Sequence, residues 1–149
     1  MGTKTAERPK TLYERDFYAW ANEQAALLRA GEFSAADIGN IAEEIESMGR
    51  AERNELTNRL AVLLTHLLKW ELQPERRGRS WALTIREQRR QVARNIRQNP
   101  SLRPQLADIM VDAYGDAVLA TQRETDLPET LFAAECPWTF DRAMQGDPA

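Results

Sequence analysis

Residues 52–72 read ERNELTNRLAVLLTHLLKWEL, and this stretch decides the fold class. Leucines recur at intervals of three and four residues, which is the spacing of one face of an α-helix. The other apolar residues of the stretch spread around the helix, and a helix that is apolar on most sides is usually buried on most sides. We therefore predict a central helix here. A second copy of the chain would cover any apolar surface that the fold leaves open.

The helical pattern continues towards the N-terminus, and no alternating strand pattern occurs. A first helix is predicted from Thr11, where Glu14 completes a capping box, to a stop at Gly31. A second is predicted from Ser34, and Gly49 should end or bend it, because glycine costs about 1 kcal/mol in a helix interior. The side chains expected to be buried on this second helix are Ile38, Ile41, Ala42, Ile45 and Met48.

Two more helices and an aromatic tail follow the central helix. The fourth helix is predicted to start with Ser80 as its cap and to close at Asn99, and the fifth to run from Ser101 to about Asp126. The expected buried residues of these two helices are Trp81, Ile85, Val92, Ile96, Leu102, Leu106, Ile109, Ala113, Ala117 and Ala120. A short aromatic-rich C-terminal segment should lie over the bundle; it contains Phe132, Cys136, Trp138 and Phe140.

Length and composition set the organisation of the chain. At 149 residues we expect one all-α domain of about five helices over residues 11–144, with frayed ends at 1–10 and 145–149. The longest apolar run, residues 60–64, is too short to span a membrane, and the N-terminus has no signal-peptide pattern. A single cysteine, Cys136, suits a reducing compartment, so the predicted location is cytoplasmic.

Several stretches of the sequence resemble the bacterial Domain of Unknown Function 29 family. They are YERDFYAW at 13–20, EEIESMG at 43–49, HLLKW at 66–70 with QP at 73–74, SWALTIR at 80–86, NPSL at 99–102 and CPW at 136–138. They occur in the expected order over nearly the whole chain. The resemblance implies an all-helical bacterial domain. It implies no activity, and no catalytic residue follows from it.

The strongest functional signal is a cluster of arginines. Residues 76–103 contain nine arginines, no lysine and one acid, a charge of +8 in a chain whose net charge is −3. On a helical projection one group lies opposite the apolar face of the fourth helix: Arg79, Arg86, Arg90, Arg94 and Arg97. This row predicts either a face for nucleic acid or an acidic partner, or internal ion pairs with an acidic row on the fifth helix. The acidic row is Asp108, Asp112 and Asp116.

A second group of polar residues suggests a weaker site, either a metal site or an acid–base site. Its members are Glu43, Glu44, Glu46, His66 and Glu124. Helical bundles bind metals between facing Glu and His side chains, but the Glu-x-x-His spacing of the di-iron proteins is absent. The alternative is a solvated acidic face with His66 held by a hydrogen bond. A buried Glu124 would need a partner such as His66, Arg59 or an arginine of the fourth helix; otherwise water solvates it.

No catalytic motif, metal set or cofactor site is predicted. Cys136 precedes a proline and is interpreted as a packing residue. The leading hypothesis is a non-catalytic helical module that associates with itself or with another protein. The alternative is nucleic-acid binding through the arginine row, and a less favoured one is an enzyme that uses His66 and nearby glutamates. Neither a membrane nor a small-molecule substrate is expected as a partner.

Overall fold

The structure, a computed structural model, describes residue 2 and residues 6–148. Helices are the only regular elements over these residues, so the predicted all-α class is confirmed and no strand occurs among them. The chain divides into two compact units, Met1–Gly49 and Arg50–Ala149. None of the helices in the described ranges combines the length and apolar character that a membrane crossing needs. Residues 6–10 are exposed and non-helical, whereas fraying at residues 1 and 3–5 lies outside the described residues.

The N-terminal unit begins with two helices, where the sequence predicted one. Helix α1 (Leu12–Arg15) starts as expected, since the Thr11 hydroxyl accepts a 3.3 Å hydrogen bond from the amide of Glu14. Asp16 breaks the pattern, with φ −150° and ψ 83°, and its carboxylate accepts a 3.0 Å bond from the Ala19 amide. This carboxylate starts helix α2 (Phe17–Arg29). Gly31 then stops the helix as predicted, at φ +74°, a conformation that glycine adopts without strain.

Helix α3 (Ile38–Leu72) replaces the predicted second and third helices with a single element of 35 residues. It does not begin at Ser34, which lies in a 3₁₀ turn, Phe33–Ala35. It also does not end at Gly49. A glycine costs only about 1 kcal/mol in a helix interior, and good helix-forming residues on both sides outweigh that penalty. Helix α3 continues from one compact unit into the other.

The C-terminal unit is built around residues 50–72 of α3, which confirms the predicted central helix. Leu56, Leu60, Leu63 and Leu64 are fully buried, and Leu67 and Leu68 nearly so. The unit's own side chains therefore cover this stretch, and among its large apolar side chains only Val62 stays substantially exposed, at 39%. The fold thus leaves little apolar surface on the central helix for a second copy to cover.

Two further long helices complete this unit. Helix α4 (Arg79–Gln98) follows Gly78 and has no side-chain cap, so the predicted Ser80 cap is wrong; Asn99 ends the helix as predicted. The fifth helix does not open at Ser101, because Pro100–Gln105 forms a 3₁₀ turn before α5 (Leu106–Glu124). The apolar stripes of both helices are buried: Ile85, Val92 and Ile96 on α4, and Ile109, Ala113 and Ala117 on α5.

The C-terminal segment packs on the core, as its aromatic content predicts. Its half-buried members in contact with the core are Phe132, Cys136, Trp138 and Phe140. The segment includes the short helix α6 (Phe140–Ala143). The Arg89 guanidinium of α4 donates to the carbonyl oxygens of Ala143, Gln145, Gly146 and Pro148, at 2.8–3.0 Å. These bonds hold residues 145–148, where fraying was expected; residue 149 lies outside the described residues.

Candidate functional site

The predicted arginine row forms one exposed face of α4. Each of its five members is exposed: Arg79, Arg86, Arg90, Arg94 and Arg97. The opposite side of the same helix carries the buried residues Ile85, Val92 and Ile96. Because one side of the helix is buried in the core, the opposite side faces solvent, and the charged side chains lie there. We call these five residues the arginine row.

Within the described ranges, no side chain of the arginine row makes a hydrogen bond or an ion pair with another residue. Among the described residues the acidic row on α5 makes no ion pair with it, and Asp112 instead pairs with Arg53 of α3, at 3.8 Å. Other arginines are engaged. Arg59 pairs with Glu55 at 2.9 Å, and Arg77 donates a 2.6 Å bond to the carbonyl oxygen of Trp70. The predicted alternative of internal pairing between the two rows is therefore absent from the structure.

A second surface lies in the N-terminal unit, on the first part of α3. The sequence predicted that its apolar stripe is buried, and this prediction is wrong. The exposed fractions are 55% for Ile38, 59% for Ile45 and 63% for Met48. Ala42 is also exposed, and Ile41 is half-buried. Periodicity located the apolar face correctly, but the side of α3 that meets α1 and α2 is its neighbouring polar face.

That polar face carries a network around Asp37, which sequence reasoning did not find. The indole of Trp20 donates to the Asp37 carboxylate at 3.0 Å, and the amide of Asn40 donates to the same oxygen at 2.8 Å. Buried Gln24 accepts a 2.7 Å bond from the backbone N–H of Asp37. The bonds from Asn40 and then Trp20 lower the pKa of Asp37 below its ordinary value. The one feature of the sequence that could have indicated this network was Gln24, a polar residue on an otherwise apolar helical stripe.

The three glutamates of the predicted polar site also lie in the N-terminal unit. Glu44 accepts a hydrogen bond from the hydroxyl of Tyr13, which contacts Trp20 edge-on with ring centroids 4.7 Å apart. This hydrogen bond, with smaller contributions from burial and neighbouring carboxylates, raises the pKa of Tyr13. Glu43 and Glu46 are exposed. The role of Glu44 here is to hold α1 against α3, which is a structural role.

His66 and Glu124 lie in the C-terminal unit and line one open groove of about 430 Å³ between α3 and α5. Nδ1 of His66 donates to the carbonyl oxygen of Val62 at 2.9 Å. Glu124 is half exposed and accepts a hydrogen bond from Lys69, which is only 9% exposed and lies 5.8 Å from the ring centroid of Trp81. The partner of Glu124 is thus a buried lysine, which was not among the partners expected.

An apolar groove of about 820 Å³ lies between α5 and the C-terminal segment. Tyr114 and Cys136 both line it, and the hydroxyl of Tyr114 donates to the carbonyl oxygen of Ala133 at 2.6 Å. Burial raises the pKa of the Cys136 thiol, which therefore stays protonated at neutral pH and is a poor nucleophile. Across residues 2 and 6–148, no group of three or more His, Cys, Asp or Glu side chains could hold a metal ion.

Several residues that make the contacts described above lie in the sequence stretches that resemble a known family. They are Tyr13, Trp20, Lys69 and Cys136. A family model described as "Domain of unknown function DUF29" matches residues 12–147, nearly the whole chain. The chain belongs to the DUF29 family. No curated protein and no solved structure matches it. Membership in DUF29 brings no activity with it, and the two exposed faces are the features of this chain that bear on its function.

Proposed function

We propose that this DUF29 chain is a non-catalytic helical module that associates with a second copy of itself through the apolar face of α3. The observation that carries the proposal is the exposure of Ile38, Ile45 and Met48, each more than half open to solvent. Large apolar side chains grouped on one helix face are typical of an interaction surface. Burying one such side chain fully contributes about 1.5–3 kcal/mol.

The shape of this face favours a second copy over an unrelated partner. Ile38 and Ile45 lie on either side of Ala42, at nearly equal separations along the helix. In an antiparallel pair with a two-fold axis beside Ala42, Ile38 of one copy meets Ile45 of the other, so the face is complementary to itself. Ala42 and Gly49 are small, and the space around Gly49 is open to 4 Å. The two helix backbones can therefore approach closely.

The position of the face supports the same proposal. Residues 38–48 span about 15 Å of helix, close to three turns, which suits a short helix pair. Glu44 and Asn40 are engaged by their hydrogen bonds with Tyr13 and Asp37, so they leave the apolar side free for a partner. A single cysteine that remains a thiol suits a reducing compartment, and we place the module in the bacterial cytoplasm.

Molar mass by light scattering at tens of micromolar tests the proposal. The wild type should have a mass of about 34 kDa, twice the 17.0 kDa of the chain. Ile45→Glu should be monomeric, because it places a charge at the centre of the contact. Leu131→Glu is the matched control, since Leu131 is 51% exposed but lies far along the chain in the other unit. A monomeric wild type, or an Ile45→Glu variant that remains dimeric, would overturn the proposal.

A further inference from the structure

We propose that the arginine row of α4 binds the phosphate backbone of double-stranded nucleic acid without sequence specificity. This inference concerns the C-terminal unit and is independent of the apolar face on α3. It would add a second class of ligand to the protein partner proposed above. Its starting point is that the five guanidinium groups of the row are exposed and make no hydrogen bond or ion pair with any described residue.

Comparison with arginines nearby on α3 and α4 shows which guanidinium groups the fold itself uses. Arg89 lies next to Arg90 in sequence, yet its guanidinium is committed to backbone carbonyls of the C-terminal segment. Arg53 bonds Gln105 at 3.0 Å and pairs with Asp112, while Arg59 pairs with Glu55. The fold thus engages arginines on α3 and on the neighbouring side of α4. The members of the row share one face of α4 and are left available together, whereas exposed arginines such as Arg29, Arg123 and Arg142 are scattered over other elements.

The geometry of the row matches a linear polyanion. From Arg79 to Arg97 the helix rises about 27 Å, and Arg86, Arg90 and Arg94 follow at steps of about 6 Å. Each strand of a duplex winds around the axis, but the two strands together carry a phosphate for every ~1.7 Å of axis, so phosphates occur along the whole length of the row. Each phosphate that is neutralised releases condensed counterions, and this release is the main source of non-specific affinity.

The row is also electrostatically unfavourable when it has no partner. Like charges at i and i+4 on a helix are destabilising, and Arg86, Arg90 and Arg94 make two such pairs. The only acid on α4 is Glu87, which is exposed and makes no ion pair within the described part of the chain. A bound anion would relieve this repulsion. The row therefore has a physical reason to prefer an external polyanion.

Two other occupants fit the row less well. Single-stranded nucleic acid is usually bound by stacking on aromatic side chains, and the row contains none. The acidic row of a second copy spans only about 12 Å, less than half the length of the arginine row. Asp112 in that row also already lies 3.8 Å from Arg53. A duplex backbone is the occupant that the observations favour.

The test is a fluorescence-anisotropy titration of a labelled 30-base-pair duplex of mixed sequence at 50 and 200 mM salt. Five phosphate contacts predict a slope of about −4.5 in log affinity against log salt, and thus a loss of about 500-fold over this range. The variant Arg86→Ala/Arg90→Ala/Arg94→Ala retains two contacts and should lose only about 12-fold, from a weaker starting affinity. The control Arg29→Ala/Arg123→Ala/Arg142→Ala removes the same charge from exposed positions outside the row and should bind like the wild type.

Three outcomes would overturn the proposal. The first is no binding at 50 mM salt, and the second is equal weakening of binding by the row variant and by its control. The third is salt-sensitive self-association without duplex binding, which Asp108→Asn/Asp112→Asn/Asp116→Asn abolishes; that result would assign the row to a second copy. Circular dichroism of each variant checks that it is folded, which we expect because every substituted side chain is exposed.

Discussion

The indole nitrogen of Trp20 donates a 3.0 Å hydrogen bond to the carboxylate of Asp37, and this contact ties α2 to the start of α3. The carbonyl oxygen of Asp37 also accepts the backbone bond from Ile41. One aspartate therefore joins two helices through its side chain and its main chain. The N-terminal unit has few fully buried apolar side chains, so its stability depends strongly on such polar contacts.

The Asp37 network predicts a pH-dependent protection of α2. Because its folded pKa lies below the ordinary value of 3.8, the carboxylate stabilises the unit above that pH, and the contribution is lost as the pH falls through the folded pKa. Asp37→Asn should therefore speed amide hydrogen exchange in α2 at neutral pH, and the difference from wild type should shrink in acid. Glu23→Gln, at an exposed position on α2, is the control and should change neither the exchange rate of α2 nor its dependence on pH. A pH-independent difference would contradict this account.

Arg89 and Arg90 are neighbours with separate predicted roles. Hydrogen bonds from a charged donor contribute about 1.5–3 kcal/mol, so Arg89→Ala should lower the free energy of unfolding by that order. It should also make residues 140–148 sensitive to proteases, because the carbonyls that it binds lie there. Arg90→Ala should not lower stability, since it removes like-charge repulsion on α4, and it should weaken duplex binding. Urea unfolding and limited proteolysis of both variants measure this, and equal stability losses would disprove the division of roles.

The Lys69–Glu124 pair should respond asymmetrically to substitution, because Lys69 is buried and Glu124 is half exposed. Glu124→Gln leaves a buried ammonium without a charged partner, which costs about 1–3 kcal/mol. Lys69→Met removes the buried charge, keeps most of the volume and leaves a glutamate that water can solvate. We therefore expect Lys69→Met to be the less destabilising change in urea unfolding. The reverse order would show that Lys69 is effectively solvated.

Two glycines give opposite predictions for alanine substitution. Gly115 lies inside α5, and no heavy atom of another element lies within 4 Å of the position that an alanine Cβ would take. Gly115→Ala should therefore stabilise the protein by about 0.5–1 kcal/mol. Gly31 has φ +74°, where any other residue is strained, so Gly31→Ala should destabilise it. Thermal unfolding of both variants is the measurement. A stabilised Gly31→Ala would mean that this turn does not require a positive φ.

Helix periodicity predicted the C-terminal unit well. Ile85, Val92 and Ile96 are buried because one face of α4 is apolar and the rest is charged, so only one orientation hides the apolar side chains. The same pattern placed the arginine row on the exposed side. The sequence could not show whether the acidic row of α5 reaches the arginines, since that depends on how the two helices rotate against each other.

Other features depend on tertiary contacts that no local pattern encodes. The stripe containing Ile38 and Ile45 was recognised, but periodicity does not say what covers an apolar face. Two helix boundaries differ from the prediction in opposite directions: a break was expected at Gly49 and is absent, whereas none was expected at Asp16 and one is present. The helix propensity of one residue, about 1 kcal/mol, is easily outweighed by its neighbours. The contacts of Arg89 and Glu124 join residues more than 50 positions apart. The one hint of such a contact was Lys69, a charged residue that directly follows Leu67 and Leu68 in the central helix.

Self-association through α3 is tested most directly by oxidative cross-linking at Ala42. In a Cys136→Ser background, Ala42→Cys should form a covalent dimer rapidly, because the proposed two-fold axis brings the two copies' Cα atoms within the roughly 4.4–6.8 Å that a disulfide spans. Ser47→Cys is the control, since Ser47 is exposed on the opposite side of the same helix. Rapid cross-linking at position 42 alone is the predicted result. Equal cross-linking at both positions, or none at position 42, would contradict the proposed contact.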